Sequence, residues 1–143
     1  LSTPLQLANA TAALINGGTL WKPHIVSQIT DSQKNIVQTI SPQKISENII
    51  NNDYANLVKE GMRAVVTRGT AQSLQQVSEE VAGKTGTAQF GNEGKTHAWF
   101  VGYAPYKDPE IVVVVLAQGG GEGSSAAVPV ARDIFNWYFA QKK

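Results

Sequence analysis

The sequence predicts a mixed α/β fold of the α+β kind: an antiparallel sheet flanked by helices. Three observations carry that expectation. Apolar residues recur at helical spacing in three segments, two before the main strand region and one after it. Three strand-like runs lie between the second and third helical segments. The connections between those runs are too short for crossover helices, which favours an antiparallel meander with helices packed on it.

Thr3-Pro4 opens the first helix, with Thr as N-cap and Pro at the first helical position. The Ala- and Leu-rich stretch from Leu5 to Ile15 ends at Gly17-Gly18, a C-cap signal. Nearly every position in it is small or apolar, so this helix is expected to be buried. Residues Leu20 to Ile40 read as two short strands. In the first, Ile25, Ser27 and Ile29 alternate with other positions. The second, Asn35 to Ile40, follows the turn Asp31-Ser32-Gln33-Lys34. Ser41 through Asn52 is polar and Asn-rich, a connector.

Tyr54, Leu57, Val58, Gly61, Met62, Val65 and Val66 then mark one helical face over more than three turns. Asn52 or Asp53 caps its start and Gly69 follows its end. Val81 to Phe90 reads as a strand interrupted by two glycines, and Gly91 to Gly94 as a turn. Ala98 to Ala104 is an aromatic-bearing strand, and Pro105 to Pro109 a second turn. Glu110 to Gln118 is continuously apolar and β-branched, the pattern of a central strand covered on both faces. Gly119 to Gly123 is a flexible connector. The last helix places Ala127, Val130, Ala131, Ile134, Phe135 and Tyr138 on one face, with Pro129 in its first turn. Trp137-Tyr138-Phe139 is expected to dock on the core.

Composition narrows the function. The 143 residues are enough for one core, and 42% apolar with 16% charged residues is a globular balance. A formal charge of +1 argues against binding driven by nucleic-acid phosphates or an anionic membrane surface. Cys is absent, which excludes disulfides, thiolate metal sites and cysteine catalysis. The longest apolar run, Ile111 to Ala117, is too short to span a bilayer. The chain begins at Leu1 without an initiator Met, so it is expected to be a piece of something longer.

Gly83-Lys84-Thr85-Gly86-Thr87-Ala88-Gln89 is the informative stretch. Lys-Thr-Gly is a catalytic element of penicillin-binding proteins and class A β-lactamases. With nine Lys, ten Thr and 13 Gly in the chain, roughly 0.06 such triplets are expected by chance, and about 0.004 with the further Thr. The chemistry fits a strand edge that pairs with an extended peptide. Gly86 lets the peptide approach. Lys84 supplies positive charge, and the hydroxyls of Thr85 and Thr87 supply donors for a carboxylate. The Thr87 backbone N–H is a candidate for half of an oxyanion hole.

Other candidates fare worse. Ser41-Pro42-Gln43-Lys44 and Ser46-Glu47-Asn48 match Ser-x-x-Lys and Ser-x-Asn, but each pattern arises about 0.6 times by chance. Two residues separate them within a polar connector, so they cannot form opposite walls of a cleft. His24 and His97 show no ligand spacing, so no metal site is expected. The Gly119–Gly123 loop lacks the Lys of a phosphate-binding loop, and Glu122 would repel phosphate. Trp99, Phe100 and Tyr103 read as sheet residues. Glu79-Glu80 reads as a solvated pair.

With these residues in view, the chain resembles the C-terminal part of a class B penicillin-binding protein, of the elongation type (penicillin-binding protein two-like). The resemblance runs almost end to end. It includes Thr3-Pro4-Leu5-Gln6-Leu7-Ala8, Asn16-Gly17-Gly18, Glu60-Gly61-Met62, Gly69-Thr70-Ala71 and His97-Ala98-Trp99-Phe100-Val101-Gly102-Tyr103-Ala104-Pro105, in that order.

The resemblance implies a serine D,D-transpeptidase of peptidoglycan cross-linking, acylated by β-lactams, on a β-lactamase-like fold. It implies substrate binding by Lys84, Thr85, Gly86 and Thr87, with catalytic roles for Lys84 and the Thr87 N–H. The family's nucleophile and Ser-x-Asn elements precede the Thr-Pro-Leu-Gln helix. Residues 1–143 are therefore expected to be the C-terminal portion of the transpeptidase domain, inactive alone and needing no cofactor. The implied partners are peptidoglycan stem peptides, β-lactam antibiotics, a glycosyltransferase and other cell-wall synthesis proteins, with no nucleic acid. The implied location is extracytoplasmic, anchored by an N-terminal membrane segment outside this chain. Two alternatives stay open: a β-lactam sensor or β-lactamase domain, and a noncatalytic peptide-binding β-sheet module.

Overall fold

The structure, a computed structural model, describes residues 2–91 and 94–142. Helix α1 spans Pro4–Ile15. Its start is a reciprocal box: Thr3 Oγ1 accepts from the Gln6 N–H at 3.2 Å, and Gln6 Oε1 accepts from the Thr3 N–H at 2.8 Å. Its end is a Schellman turn. Gly17 and Gly18 take φ of +83° and +86°, and the Gly18 N–H donates to the Ala13 carbonyl at 2.8 Å. The helix is not buried as expected. Only Thr11 and Ala13 are enclosed, and Leu5 is 62% exposed. Leu7, Ala8, Ala12, Leu14 and Ile15 are half-buried, and Ala10 is exposed.

Leu20–Trp21 (β1) pairs antiparallel with Lys44–Ser46 (β4). The polar connector expected from Ser41 to Asn52 thus contains a strand. Three residues are too few for alternation to stand out from background. Gln28–Thr30 (β2) and Ile36–Thr39 (β3) form the expected hairpin. The Asp31 carboxylate holds its turn, accepting from the N–H groups of Gln33 and Asn35 at 2.9 Å each and from Asn35 Nδ2 at 3.0 Å. Bonding from the Asn35 side chain, then from its backbone, keeps the Asp31 carboxyl below its ordinary value.

Helix α2 spans Asn52–Arg68, with Asn51 as the cap one residue before the expected start; Asn51 Oδ1 accepts from the Asp53 N–H at 2.7 Å. Its apolar face is buried only in part. Ala55, Met62 and Val66 are enclosed, whereas Tyr54, Leu57 and Val58 are exposed. A short 3₁₀ turn, Gln72–Gln76, brings Leu74 into the core.

The main sheet is the expected meander of Ala82–Phe90 (β5), Lys95–Ala104 (β6) and Ile111–Ala117 (β7), in that spatial order. Of the turn expected between β5 and β6, Gly91 and Gly94 have φ of +64° and +67°; Asn92 and Glu93 lie outside the described residues. Among the described residues β6 is the middle strand, and β7 has a partner strand on one side only rather than the central place expected. Strand β7 is continuously apolar because α1 and the C-terminal helix pack on its two faces. Cover on both faces, not central position, is what such a run reports.

Helix α3 spans Val128–Ala140 and follows a π-helical turn at Gly123–Ala127. It buries Val128, Ala131, Phe135 and Phe139, while Val130, Ile134 and Trp137 are exposed. The stripe is rotated by about one residue from the expected one. Of the expected docking residues, Phe139 is buried and Tyr138 packs against the same core, whereas Trp137 is exposed, because consecutive helical residues point about 100° apart.

The sheet separates two clusters. On the α3 side, Phe100, Val113 and Val115 pack with Val66, Leu74, Val81, Val128 and Phe135. On the α1 side, Tyr103 and Ala82 pack with Met62. The Tyr103 hydroxyl is buried with no hydrogen-bond partner among the described residues. Burial, reinforced by Tyr106 and opposed by Arg63, raises its pKa well above that of an ordinary phenol.

Candidate active-site wall

Strand β5 carries Lys84, Thr85, Gly86 and Thr87 along one margin of the three-stranded sheet. Its other edge is fully paired with β6: Lys84 lies opposite Val101, Thr85 opposite Phe100, Gly86 opposite Trp99 and Thr87 opposite Ala98. Cross-strand partners share a face. Lys84 and Gly86 therefore lie on the face of Trp99 and Tyr103, and Thr85 and Thr87 on the face of Phe100. Lys84 and Thr87 are exposed, and Thr85 and Gly86 are half-buried. The Lys84 ammonium donates to the Thr85 carbonyl, folded back along its own strand. Among the described residues no strand pairs with the outer edge of β5. In an antiparallel ladder, alternate residues of such a margin turn N–H and C=O outward, free to bond an added strand.

Glycines and one aromatic ring fix this strand. Gly83 and Gly102 lie opposite one another, and the fully buried Phe100 ring occupies the notch they leave. A Cβ on Gly83 would stand 2.4 Å from Phe100 Cζ, and one on Gly102 would stand 2.6 Å from it. On the opposite face, a Cβ on Gly86 would stand 3.2 Å from Trp99 Cβ. Thr70, in the segment after α2, places its Oγ1 2.7 Å from Thr85 Oγ1.

The chain matches the family model described as the penicillin-binding protein transpeptidase domain over residues 1–136. It belongs to the penicillin-binding protein transpeptidase family. It is 33% identical to peptidoglycan D,D-transpeptidase MrdA of Haemophilus influenzae, covering 99% of this chain and 24% of that protein. Acinetobacter baumannii MrdA gives the same identity over 99% of this chain and 23% of its own length. Among solved structures, the D,D-transpeptidase domain of a peptidoglycan glycosyltransferase from Eggerthella lenta superposes with a TM-score of 0.83 at 28% identity, covering 98% of this chain and 33% of that one. Penicillin-binding protein A of M. tuberculosis, as an imipenem acyl-enzyme complex, gives 0.83 at 26% identity, covering 96% of this chain and 31% of that one. The chain thus spans about a quarter of its curated relatives and about a third of its structural ones.

Within this transpeptidase segment, the weaker candidates fall away from β5. Ser41, Lys44 and Ser46 sit on or beside β4, in a two-stranded sheet separate from β5–β7. The Lys44 ammonium pairs with Glu47 at 2.5 Å rather than facing Ser41. His97 is half-buried on β6. Its ring stacks on Phe90 at 3.9 Å between centroids, and its Nδ1 accepts from the Gly119 N–H at 3.1 Å. Among the described residues no three His, Asp or Glu side chains gather as a metal-binding group. A cavity of about 390 Å³ between α1 and the start of β7, lined by Leu5, Ala8, Ala12, Pro109 and Ile111, is away from β5. Its one charged residue, Glu110, is ion-paired with Lys142.

Sequence reasoning assigned no role to Thr70, and it read the Gly119–Gly123 loop as a free connector. The loop is instead pinned to β6: the Gly121 N–H donates to the Thr96 carbonyl at 3.2 Å, and Thr96 Oγ1 donates to the Gly121 carbonyl at 3.0 Å. The one signal available for Thr70 was its Gly-Thr-Ala context, fifteen residues before Thr85.

Proposed function

We propose that this chain supplies one wall of the active site of a serine D,D-transpeptidase, and that the nucleophile lies elsewhere in the complete protein. The observation that carries this reading is the open margin of β5, with Lys84 through Thr87 exposed or half-buried along it and Thr85 held by Thr70. A stem peptide adds to this margin as an extended strand. Lys84 and the Thr85 hydroxyl bind its terminal carboxylate, and Gly86 admits its backbone. The serine oxygen attacks the penultimate D-alanine carbonyl carbon. The amide C–N bond breaks, an ester forms, and the serine proton leaves with the amine of the terminal D-alanine. The Thr87 N–H stabilises the oxyanion in between. An amine from a second stem peptide then displaces the serine. A β-lactam enters the same way, its ring C–N bond opening in place of the peptide bond.

The same reading places residues 1–143 in the C-terminal portion of the domain, on the extracytoplasmic side of a membrane to which the complete protein is anchored. A glycosyltransferase and other cell-wall synthesis proteins are its partners. The test is acylation of the complete protein by a fluorescent penicillin. Losing the Lys84–carboxylate bond, a charge-assisted interaction of about 1.5–3 kcal/mol, slows acylation by Lys84→Ala about 10- to 100-fold. Unchanged kinetics overturn the assignment. Residues 1–143 alone form no covalent adduct; a mass spectrum showing acylation, above all at Ser41, overturns the separation of the nucleophile from this wall.

A further inference from the structure

We infer that Gly123 is a positioning residue for the oxyanion donor, acting through the backbone of Gly86. This rests on the transpeptidase reading above. Gly123 is buried, in the π-helical turn that enters α3. Its backbone has no positive φ, so conformational freedom does not explain the glycine. Space does. A Cβ there would lie 2.4 Å from the Trp99 carbonyl oxygen, 2.7 Å from the Gly86 carbonyl oxygen and 3.0 Å from the Gly86 nitrogen. At the Gly86 oxygen that is roughly 0.7 Å short of ordinary contact, which begins at 3.4 Å.

The turn has little freedom to yield. Upstream, the loop is tied to β6 through Thr96–Gly121 and His97–Gly119. Downstream, Ala127 and Val128 are fully buried in the α3-side core. Among the described residues, strand β5 is paired with a strand on one edge only and has α2 packed beside it, whereas β6, which carries the Trp99 carbonyl, is paired with a strand on both edges. Strand β5 is therefore the element that moves, and the residue after Gly86 is Thr87. Gly86 is held between the Trp99 side chain on one face and the Gly123 backbone on the other, which sets where the Thr87 N–H points.

The test compares Gly123→Ala with Gly120→Ala in the complete protein. The three nearest atoms to a Cβ at Gly120 are Ala117 Cβ at 2.8 Å, the Ala117 carbonyl oxygen at 3.1 Å and, in the same turn as Gly123, Ala126 Cβ at 3.3 Å; none of the three belongs to β5 or to Trp99. Acylation by fluorescent penicillin is resolved into the dissociation constant of the first complex and the rate constant of ester formation. The infrared stretch of the ester carbonyl reports hydrogen bonding in the oxyanion hole. Gly123→Ala is expected to slow ester formation about 10- to 100-fold, to change the dissociation constant less than about threefold and to move the stretch to higher wavenumber. Gly120→Ala is expected to keep the wild-type rate and stretch, whatever melting temperature it shows. Where Gly123→Ala does not fold, Ala127→Gly, which loosens the same turn without adding an atom, is expected to show the same split. A wild-type rate and stretch in the Gly123 or Ala127 variant, or an equal loss in Gly120→Ala, overturns the inference and leaves the transpeptidase reading standing. A wild-type protein that takes no label overturns both.

Discussion

Adding one methyl group at Gly83 tests how β5 is held. A Cβ there meets Phe100 Cζ at 2.4 Å, Cε2 at 2.6 Å and the Val101 carbonyl oxygen at 2.8 Å. The ring has no room to retreat. Phe100 is fully buried, and the opposite glycine, Gly102, already lies against its other side. Overpacking of this kind costs about 1–3 kcal/mol. Reduced unfolded-state entropy returns about 0.4–1 kcal/mol for Gly→Ala. Gly83→Ala is therefore expected to lose up to about 2.5 kcal/mol. Phe100→Ala alone is expected to lose about 3–5 kcal/mol, the usual cost of deleting a buried ring.

The pair is more informative than either member. In Gly83→Ala/Phe100→Ala the new methyl group enters space that the ring has vacated, so the clash with the ring disappears, only the contact with the Val101 carbonyl oxygen remains, and part of the cavity is filled. The double variant is expected to lose less than the two single losses combined, by about 1–3 kcal/mol. Urea unfolding of the transpeptidase domain measures all three variants. Additivity within about 0.5 kcal/mol would refute the claim that Gly83 is glycine because of the Phe100 ring.

Further predictions concern single groups. Thr70→Val removes the hydroxyl that bonds Thr85 and keeps its shape; acylation efficiency is expected to fall roughly 3- to 10-fold, as one neutral hydrogen bond implies, and Thr70→Ser to restore it. Tyr103→Phe removes a buried hydroxyl without a described partner, so it is expected to be neutral or stabilising by up to about 1 kcal/mol; a larger loss on unfolding would show that the hydroxyl is bonded. Asp31 has a carboxyl pKa lowered in the folded state, so its contribution to the β2–β3 hairpin is present above the ordinary carboxylate value of 3.8 and is lost as pH falls through the lower folded value. Amide NMR shifts of Gln33 and Asn35 are expected to follow that titration, and Asp31→Asn to abolish it.

The parts of the fold that the sequence made legible are those decided locally. The Thr3 cap, the Gly17-Gly18 exit and the Asp31 turn depend on residues within a few positions of one another, and the β5–β6–β7 meander follows from the short turns between its strands. Burial was harder to read, because it depends on what packs against an apolar face. The face from Tyr54 to Val66 has one spacing throughout, yet only its later part meets the sheet. The apolar run of β7 reports cover on two faces and says nothing of strand order. In the candidate wall, Lys84 to Thr87 were visible because they are contiguous and rare in combination. Thr70 and Gly123 touch β5 from 15 and 37 positions away from their partners, at distances no local pattern encodes.

That division has a physical consequence for the wall. The groups that would meet a substrate sit on an edge strand, and an edge strand with an open side is the least constrained element of a sheet. An oxyanion donor, by contrast, has to be held within a fraction of an ångström. Strand β5 reconciles the two with contacts on its faces rather than its edge: Phe100 against Gly83, Trp99 against Gly86 on one face and Gly123 against Gly86 on the other, and Thr70 at Thr85. Each is a contact between β5 and a residue the substrate does not need to displace, so the outer edge stays open while the strand stays in place. The glycines at 83, 86 and 123 follow from this arrangement. A side chain at any of them would widen a contact that holds β5 where, among the described residues, no strand pairs with its outer edge.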